Sequence, residues 1–550
     1  MFARCDSRWL VLFLGCLLTA ISMGAQAQQN VVIILLDAWR EDSVDDSRNA
    51  VPLMPYLDNL PGIRFRQTES ASPWTKPSVT SMLTSLPLNV HQMQDRPTTL
   101  PASFETAATY LKQAGYATYC VQTNSLLTVA KGYGQGFDQY DYMGDVPADQ
   151  STARALSNTA SATEPYFLYL HLLDTHVPYL PPMSYRTLLG YPDPGLVPAE
   201  QTIVENFGPY LLDHLDYVLG VEPTLSYPPL SPVGEESART LYDGEARFAD
   251  EQIGLFIDAL LARDPNTLIV ILADHGEHFW EHNLLGHGAS LYEPLTHIPL
   301  FITGAGITPG TVDAVVQTVD VLPTIANLLG LTPRPEWFGV DLLAPRDLDG
   351  PAFSSVKPVD SIYLDLEMVR EGTMKLIWNR LTGGVELYDL AADPDEANNV
   401  AASQSAVAVQ MMTTLNLHLL LEARANGADV AVSASPMGSV EAGSQVALTA
   451  GDGMAHQWYL DGAPLEDSAP RITGAKTRTL TIDPLETGDA GVYECVYSAP
   501  GKRLSITDPY TLNVLAAGSL PAAGLGALAV LMALFAALAS VLLRKRITHP

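Results

Sequence analysis

Two stretches of the chain are apolar at nearly every position instead of at alternate ones. Asn30-Val-Val-Ile-Ile-Leu-Leu36 and Thr267-Leu-Ile-Val-Ile-Leu272 are rich in β-branched residues and short, so they predict strands covered on both faces. Each run ends abruptly in polar residues, Asp37-Ala38-Trp39-Arg40 after the first and Asp274-His275-Gly276-Glu277 just beyond the second. Open α/β sheets bind ligands at the carboxyl ends of their strands, so two acids at two strand ends of one sheet can converge. Between them, Ser72-Pro-Trp-Thr75-Lys-Pro-Ser-Val79 sets a hydroxyl just before a Pro-Ser pair and an expected helix start. That geometry offers Thr75 to a helix N-terminus.

Carboxylate beside imidazole at Asp274-His275 suits a divalent cation, and five of the twelve histidines fall between His275 and His297. Further segments follow in order: Phe167-Leu-Tyr-Leu-His171-Leu-Leu-Asp174-Thr-His176, Leu241-Tyr-Asp-Gly-Glu245, Leu285-Gly-His287-Gly288, Leu291-Tyr-Glu293-Pro, Val319-Asp320-Val-Leu-Pro323 and Glu386-Leu-Tyr-Asp389. With this ordered set, the chain from about Asn30 to Ala401 resembles the sulfatase family of the alkaline phosphatase superfamily. The resemblance implies an alkaline-phosphatase-like α/β fold, a mostly parallel sheet flanked by helices. It also implies metal ligands Asp37, Thr75, Asp274 and His275, a Thr75 nucleophile, and His176 and His287 as catalytic groups facing substrate. Lys76, His171 and Asp174 are the expected substrate-binding residues.

Two departures from the family pattern change the expected chemistry. Formylglycine is made from Cys or Ser in a Cys/Ser-x-Pro-x-Arg context, whereas this chain has Thr75 and Val79 at those places, so no formylglycine is expected. Threonine there is the nucleophile in relatives that handle phosphate. Ala38 stands where the family has a second acid, which removes an oxygen ligand and favours zinc or manganese over calcium or magnesium. The expected function is metal-dependent hydrolysis or transfer of phosphate or sulfate esters, with phosphoesters favoured. The competing class is a non-catalytic surface binding or adhesion protein.

Beyond about Gly427 the pattern changes to short strands. Gly443–Ala450, His456–Gly462, Thr479–Ile482 and Asp489–Cys495 resemble an immunoglobulin-like β-sandwich, with Trp458 as the buried tryptophan and Tyr493 as the tyrosine-corner residue. The partner of Cys495 would stand at Ala450, so packing must replace the cross-sheet disulfide. Residues 1–27 read as a secretory signal, 28–428 as the catalytic domain, 429–515 as the sandwich and 516–550 as a membrane or sorting tail. The uncharged run to Leu543 is long enough to span a bilayer as a transmembrane helix. Arg544-Lys545-Arg546 after it predicts a cytoplasmic end and an enzyme held outside, in the periplasm or at the cell surface.

A net charge of −31 argues against nucleic acid and against docking on anionic lipid, both of which need basic patches. Arg40, Lys76 and Lys131 are candidates for local positive charge, and 181–237, rich in Pro, Leu and Tyr, reads as a lid or substrate wall. The ester partner is expected to be a glycan, a lipid headgroup or a small phosphodiester. Contact with the membrane is expected only through the C-terminal helix.

Overall fold

The strand expected at Asn30–Leu36 (β1) is buried along its whole length. Val31, Ile33 and Leu35 enter one apolar layer, and Val32, Ile34 and Leu36 enter the opposite one. Such two-sided burial is what a continuous apolar run requires of a strand. In this computed structural model the described residues are 29–222, 224–345, 348, 350–358, 364–436, 439–468, 470–498 and 504–517. The secretory signal and the membrane tail with Arg544-Lys545-Arg546 lie outside them. Among the described residues no helix is long and apolar enough to cross a membrane.

β1 lies inside an eight-stranded sheet whose other members are β2 (Gly62–Phe65), β3 (Ala117–Gln122), β4 (Gln139–Tyr142), β5 (Tyr166–Leu172), β6 (Thr267–Ala273), β7 (Leu300–Gly304) and β8 (Gly310–Val312). Their order across the sheet is β8-β2-β7-β6-β1-β5-β3-β4. β6, β1, β5, β3 and β4 run parallel, while β7 runs antiparallel to both its neighbours, making the sheet mixed. Helix α1 (Thr75–Thr84) covers one face through Val79, Met82 and Leu83, and the opposite face packs on Ala246, Phe248, Ile253 and Phe256 of a long helix, Pro232–Arg263. A four-stranded antiparallel meander, Pro351–Val356, Leu366–Glu371, Met374–Asn379 and Val385–Asp389, follows the main sheet.

The segment read as a lid or wall folds into short helices with a core of its own. Tyr191, Val204, Phe207, Tyr210 and Leu211 pack with Ala238, Leu241 and Tyr242 on the N-terminal half of the long helix. That half of the helix therefore serves the insertion, and its C-terminal half serves the sheet.

The chain divides into two compact units between Met411 and Met412, earlier than the boundary expected at 428. The reason is the helix Ser405–Asn426, whose later turns belong to the second unit. Tyr459 donates its hydroxyl to the Asn416 carbonyl at 2.7 Å, and Asn426 donates its side-chain amide to the Leu504 carbonyl at 3.1 Å. The second unit is otherwise β-rich. One sheet contains Gly491–Ser498 between Leu504–Asp508 and Met454–Leu460, and the other orders Ser433–Ser435, Val446–Thr449, Thr479–Ile482 and Ile472–Thr473. Trp458, Tyr493 and Cys495 from the first sheet and Val446, Leu448, Leu480 and Ile482 from the second share one core. Cys495 is a free, buried thiol, with Ala450 in the same cluster.

Trp458 is fully buried and donates its indole N–H to the Thr477 carbonyl at 2.9 Å. Trp458→Ala is expected to destabilise this unit by about 3–5 kcal/mol, the usual cost of deleting a core aromatic. Tyr493 donates its hydroxyl to the Asp489 carbonyl at 2.7 Å, so Tyr493→Phe leaves an acceptor unpaired at a cost of about 1–3 kcal/mol. Denaturant unfolding followed by circular dichroism measures both, and a loss below about 1 kcal/mol for Trp458→Ala would contradict the packed-sandwich description.

Candidate active site

β1 and β6 pair in a parallel register that sets Leu36 beside Ala273. The next residue on each strand is a carboxylate, so Asp37 and Asp274 leave the sheet side by side. The Asp274 carboxylate is held by two backbone donors, with Ala38 N at 3.1 Å and His275 N at 2.9 Å from Oδ1. Ala38 adopts a left-handed backbone, φ 58°. The Tyr242 hydroxyl pins that turn, donating to the Ala38 carbonyl at 3.0 Å and accepting from Arg40 N at 2.8 Å. After His275 the chain needs glycine, because a Cβ on Gly276 would lie 2.0 Å from the Pro294 carbonyl oxygen.

Thr75, at the first turn of α1, completes the group. Its Oγ1 lies 3.4 and 3.3 Å from the two Asp37 carboxylate oxygens and 3.3 Å from His275 Nε2. His275 donates from Nδ1 to the Gly276 carbonyl at 2.8 Å, which leaves the Nε2 lone pair facing Thr75. Ligand atoms of Asp37, Asp274 and His275 all lie within 4.8 Å of one another. Asp274 Oδ2 is buried and makes no hydrogen bond. Two carboxylates, an imidazole with a free lone pair and a hydroxyl form a donor set that fits a divalent cation.

The charges are distributed unevenly between the two acids. Burial pushes the Asp37 carboxyl up, but the hydrogen bond from His171 and the neighbouring His176 and His275 imidazoles outweigh it and hold Asp37 well below the usual carboxylate range. Burial and then the charge of Asp37 push Asp274 well above that range. Burial, reinforced by His287, lowers His275 to about 3, so its imidazole is neutral.

Around this group stand three supports. His171 Nε2 lies 2.9 Å from Asp37 Oδ2, with its Nδ1 2.9 Å from the Tyr169 hydroxyl, and Asn124 donates its amide to the same carboxylate oxygen at 2.8 Å. His287 Nδ1 donates to Glu277 Oε1 at 2.8 Å, and Tyr179 donates to the other Glu277 oxygen at 3.0 Å. Burial alone would lower His287, but the Glu277 carboxylate outweighs it and raises His287 above its ordinary value. The His287 ring centroid is 4.4 Å from that of His275 and 5.0 Å from that of His176. His176 and His287 line a pocket of about 530 Å³ together with Trp74, the residue before Thr75.

Three expected substrate contacts point elsewhere. Lys76 is fully buried and donates from Nζ to the Asp95, Arg96 and Thr98 carbonyls, because its position on α1 aims it beneath the 95–98 loop. Asp174 accepts from Ala148 N at 2.9 Å, at the start of the helix Ala148–Ala160, and burial raises its carboxyl to about 7. His171 is fully buried behind Asp37, aligned with Leu35 in the sheet, and orients the carboxylate. Arg40 is likewise committed, to Asp42 at 2.6 Å and Glu281 at 2.7 Å, and Lys131 to the carbonyls of Arg96 at 3.0 Å and Pro97 at 3.2 Å. The cations that line the pocket are Lys357 and Arg96, the latter on the loop that Lys76 and Lys131 clamp. Nothing in its local sequence, Gln94-Asp-Arg-Pro-Thr98, distinguishes it from an ordinary surface arginine. Asn124 is equally silent in sequence, whereas Glu277 stands in the Asp-His-Gly-Glu motif itself.

The comparisons with known proteins agree with this architecture. The chain is 33% identical over 186 residues to the uncharacterized sulfatase YidJ of Escherichia coli, covering 31% of this chain and 36% of that protein. The chain therefore matches little more than a third of that relative's length. Among solved structures, the phosphonate monoester hydrolase of Silicibacter pomeroyi superposes with a TM-score of 0.59 at 21% identity, covering 72% of this chain and 96% of the other. A protein solved in complex with its substrate D-glucosamine-2-N,6-O-disulfate gives a TM-score of 0.60 at 19% identity, covering 72% and 98%. At such identities these two likenesses speak for the fold. The sequence profile described as Sulfatase matches residues 29–331, more than half of the chain, and the chain belongs to the sulfatase family.

Proposed function

We propose that the protein is a metal-dependent ester hydrolase of the sulfatase family that uses Thr75 as nucleophile and prefers phosphoesters to sulfate esters. The observation that carries this reading is the position of Thr75 Oγ1, 3.3 Å from both Asp37 Oδ2 and His275 Nε2. Decay to a non-catalytic adhesion protein fits poorly with a site that keeps two buried carboxylates, a hydroxyl and a neutral imidazole together. The names of similar proteins include choline-sulfatase of Rhizobium meliloti as well as phosphonate monoester hydrolase, so both ester classes are chemically close at hand.

Asp37, Asp274 and His275, with Thr75, would hold the cation, which supplies Lewis-acid polarisation of the ester and lowers the hydroxyl pKa. The chain's own groups account for the rest. Asp37 accepts the Thr75 proton, leaving the oxygen lone pairs for attack. The Thr75 O–P bond forms as the P–O bond to the alcohol breaks, and the departing oxygen takes a proton from His287 Nε2, since Nδ1 is held by Glu277. Water then attacks the phosphothreonine and gives one proton to His287 as the P–O bond to Thr75 breaks, and the Thr75 oxygen takes back the proton held by Asp37. A sulfated threonine lacks the aldehyde-hydrate exit that formylglycine gives, which is why the phosphoester is favoured. The second unit, with Tyr493 bonded to Asp489 and Trp458 in its core, is proposed to be immunoglobulin-like, and the protein to be exported by its first 27 residues and held at the membrane by its tail.

Three outcomes are expected. Matched aryl phosphate and aryl sulfate esters assayed with zinc or manganese give faster phosphate turnover, and Thr75→Ala abolishes it. Faster sulfate turnover, or full activity in Thr75→Ala, would return the choice to a different nucleophile and ester. Metal added at a hundred times its dissociation constant stabilises the catalytic unit by about 2.7 kcal/mol in thermal unfolding, and Asp274→Asn loses that increment along with activity. Equal stabilisation of wild type and Asp274→Asn would exclude Asp274 as a ligand. His287→Gln slows esters of poorly acidic alcohols about 10²–10⁴-fold while sparing nitrophenyl esters, as loss of a general acid does; uniform slowing would instead indicate a binding role.

A further inference from the structure

The pocket in front of His176 and His287 has a wall unlike that of a sugar site. Trp74, Val177, Pro178, Pro209, Leu212 and Leu215 line it, the last three from the insertion at 181–237. The helix Phe207–Val218 buries Phe207, Tyr210 and Leu211 in the insertion's own core. Leu212 and Leu215, one turn apart, form a second apolar strip on the pocket side. Leu212 is 56% exposed, so an apolar group is left in water at the mouth of the site. Recognition of a sugar requires side chains that bond its hydroxyls, yet besides the two histidines the polar lining residues are Arg96, Asn206 and Lys357. Lys357 is occupied by Asp365, 2.7 Å from its Nζ, and by Glu367.

We infer that this pocket is the leaving-group site and that it takes the apolar arm, alkyl or aryl, of an ester whose anionic centre sits at Thr75. The volume of about 530 Å³ falls within the range of small-molecule pockets, and its catalytic end is closed by the imidazole placed to protonate the departing oxygen. Leu212 and Leu215 select by area removed from water, which rewards each methylene and ignores hydroxyl stereochemistry. The inference rests on the ester-hydrolase reading and narrows its substrate to esters of hydrophobic alcohols.

Binding of n-alkylphosphonates from methyl to octyl to the metal-loaded full-length protein, followed by calorimetry, tests the pocket without requiring turnover. The dissociation constant is expected to fall about fourfold per methylene over the first several members, the amount set by burying each CH₂. A hexose 6-phosphate binds no more tightly than methylphosphonate. Leu212→Asp, on an exposed position, and Leu215→Asn each flatten the dependence on chain length. A flat series in the wild-type protein, a slope unaltered in both variants, or a hexose phosphate bound more tightly than octylphosphonate would overturn the inference. A parallel series of alkylsulfonates separates the two readings: tighter binding of sulfonates with the same slope removes the phosphoester preference and leaves the apolar pocket standing.

Discussion

Two carboxylates emerging from adjacent parallel strands set the terms for the whole first unit. The register of β1 with β6 sets Asp37 and Asp274 beside each other at a buried strand end, where like charges repel with little solvent to screen them. The surrounding groups answer that repulsion from several directions. Two backbone amides turn onto Asp274, an imidazole and a carboxamide turn onto Asp37, and the first turn of a helix presents Thr75 to Asp37 and His275. A dication at this point would satisfy both acids together, and the unbonded Asp274 oxygen marks where the demand is least met.

The cations near the site are mostly spent on architecture. Lys76 and Lys131 hold the carbonyls of the 95–98 loop, Arg40 joins Asp42 to Glu281, and Lys357 sits between Asp365 and Glu367. In a chain of net charge −31, this leaves Arg96 as the pocket-lining cation exposed at the surface. Long-range attraction of polyanions is correspondingly weak, and shape and apolar contact carry more of the selection.

The parts of the fold legible in the sequence are those written in contiguous residues. β1 and β6 announce themselves because each is apolar on both faces, and Asp37, Asp274 and His275 follow because a strand's last residue fixes the side chain after it. Thr75 was placed by its Pro-Ser context. For Lys76 and Asp174, sequence places a residue next to the site but not its side chain's direction, and a buried lysine finds carbonyls while a buried acid finds a helix start. Arg96 and Asn124 lie on loops, where no period distinguishes a functional side chain from a solvated one. The boundary near Met411 escaped because a single helix runs through it without any break in composition.

The backbone at Ala38 suits a different side chain from the one it bears. Its backbone, φ 58°, lies in a region that aspartate and asparagine enter several-fold more readily than alanine, and its amide is already bonded to Asp274. The chain thus maintains a turn better suited to an acid than to the residue it carries. An aspartate at this position would relax the backbone and add a third carboxylate, which would make the donor set richer in oxygen, as harder cations prefer. The oxygen count of the site is thus set by one small side chain and not by the turn that bears it.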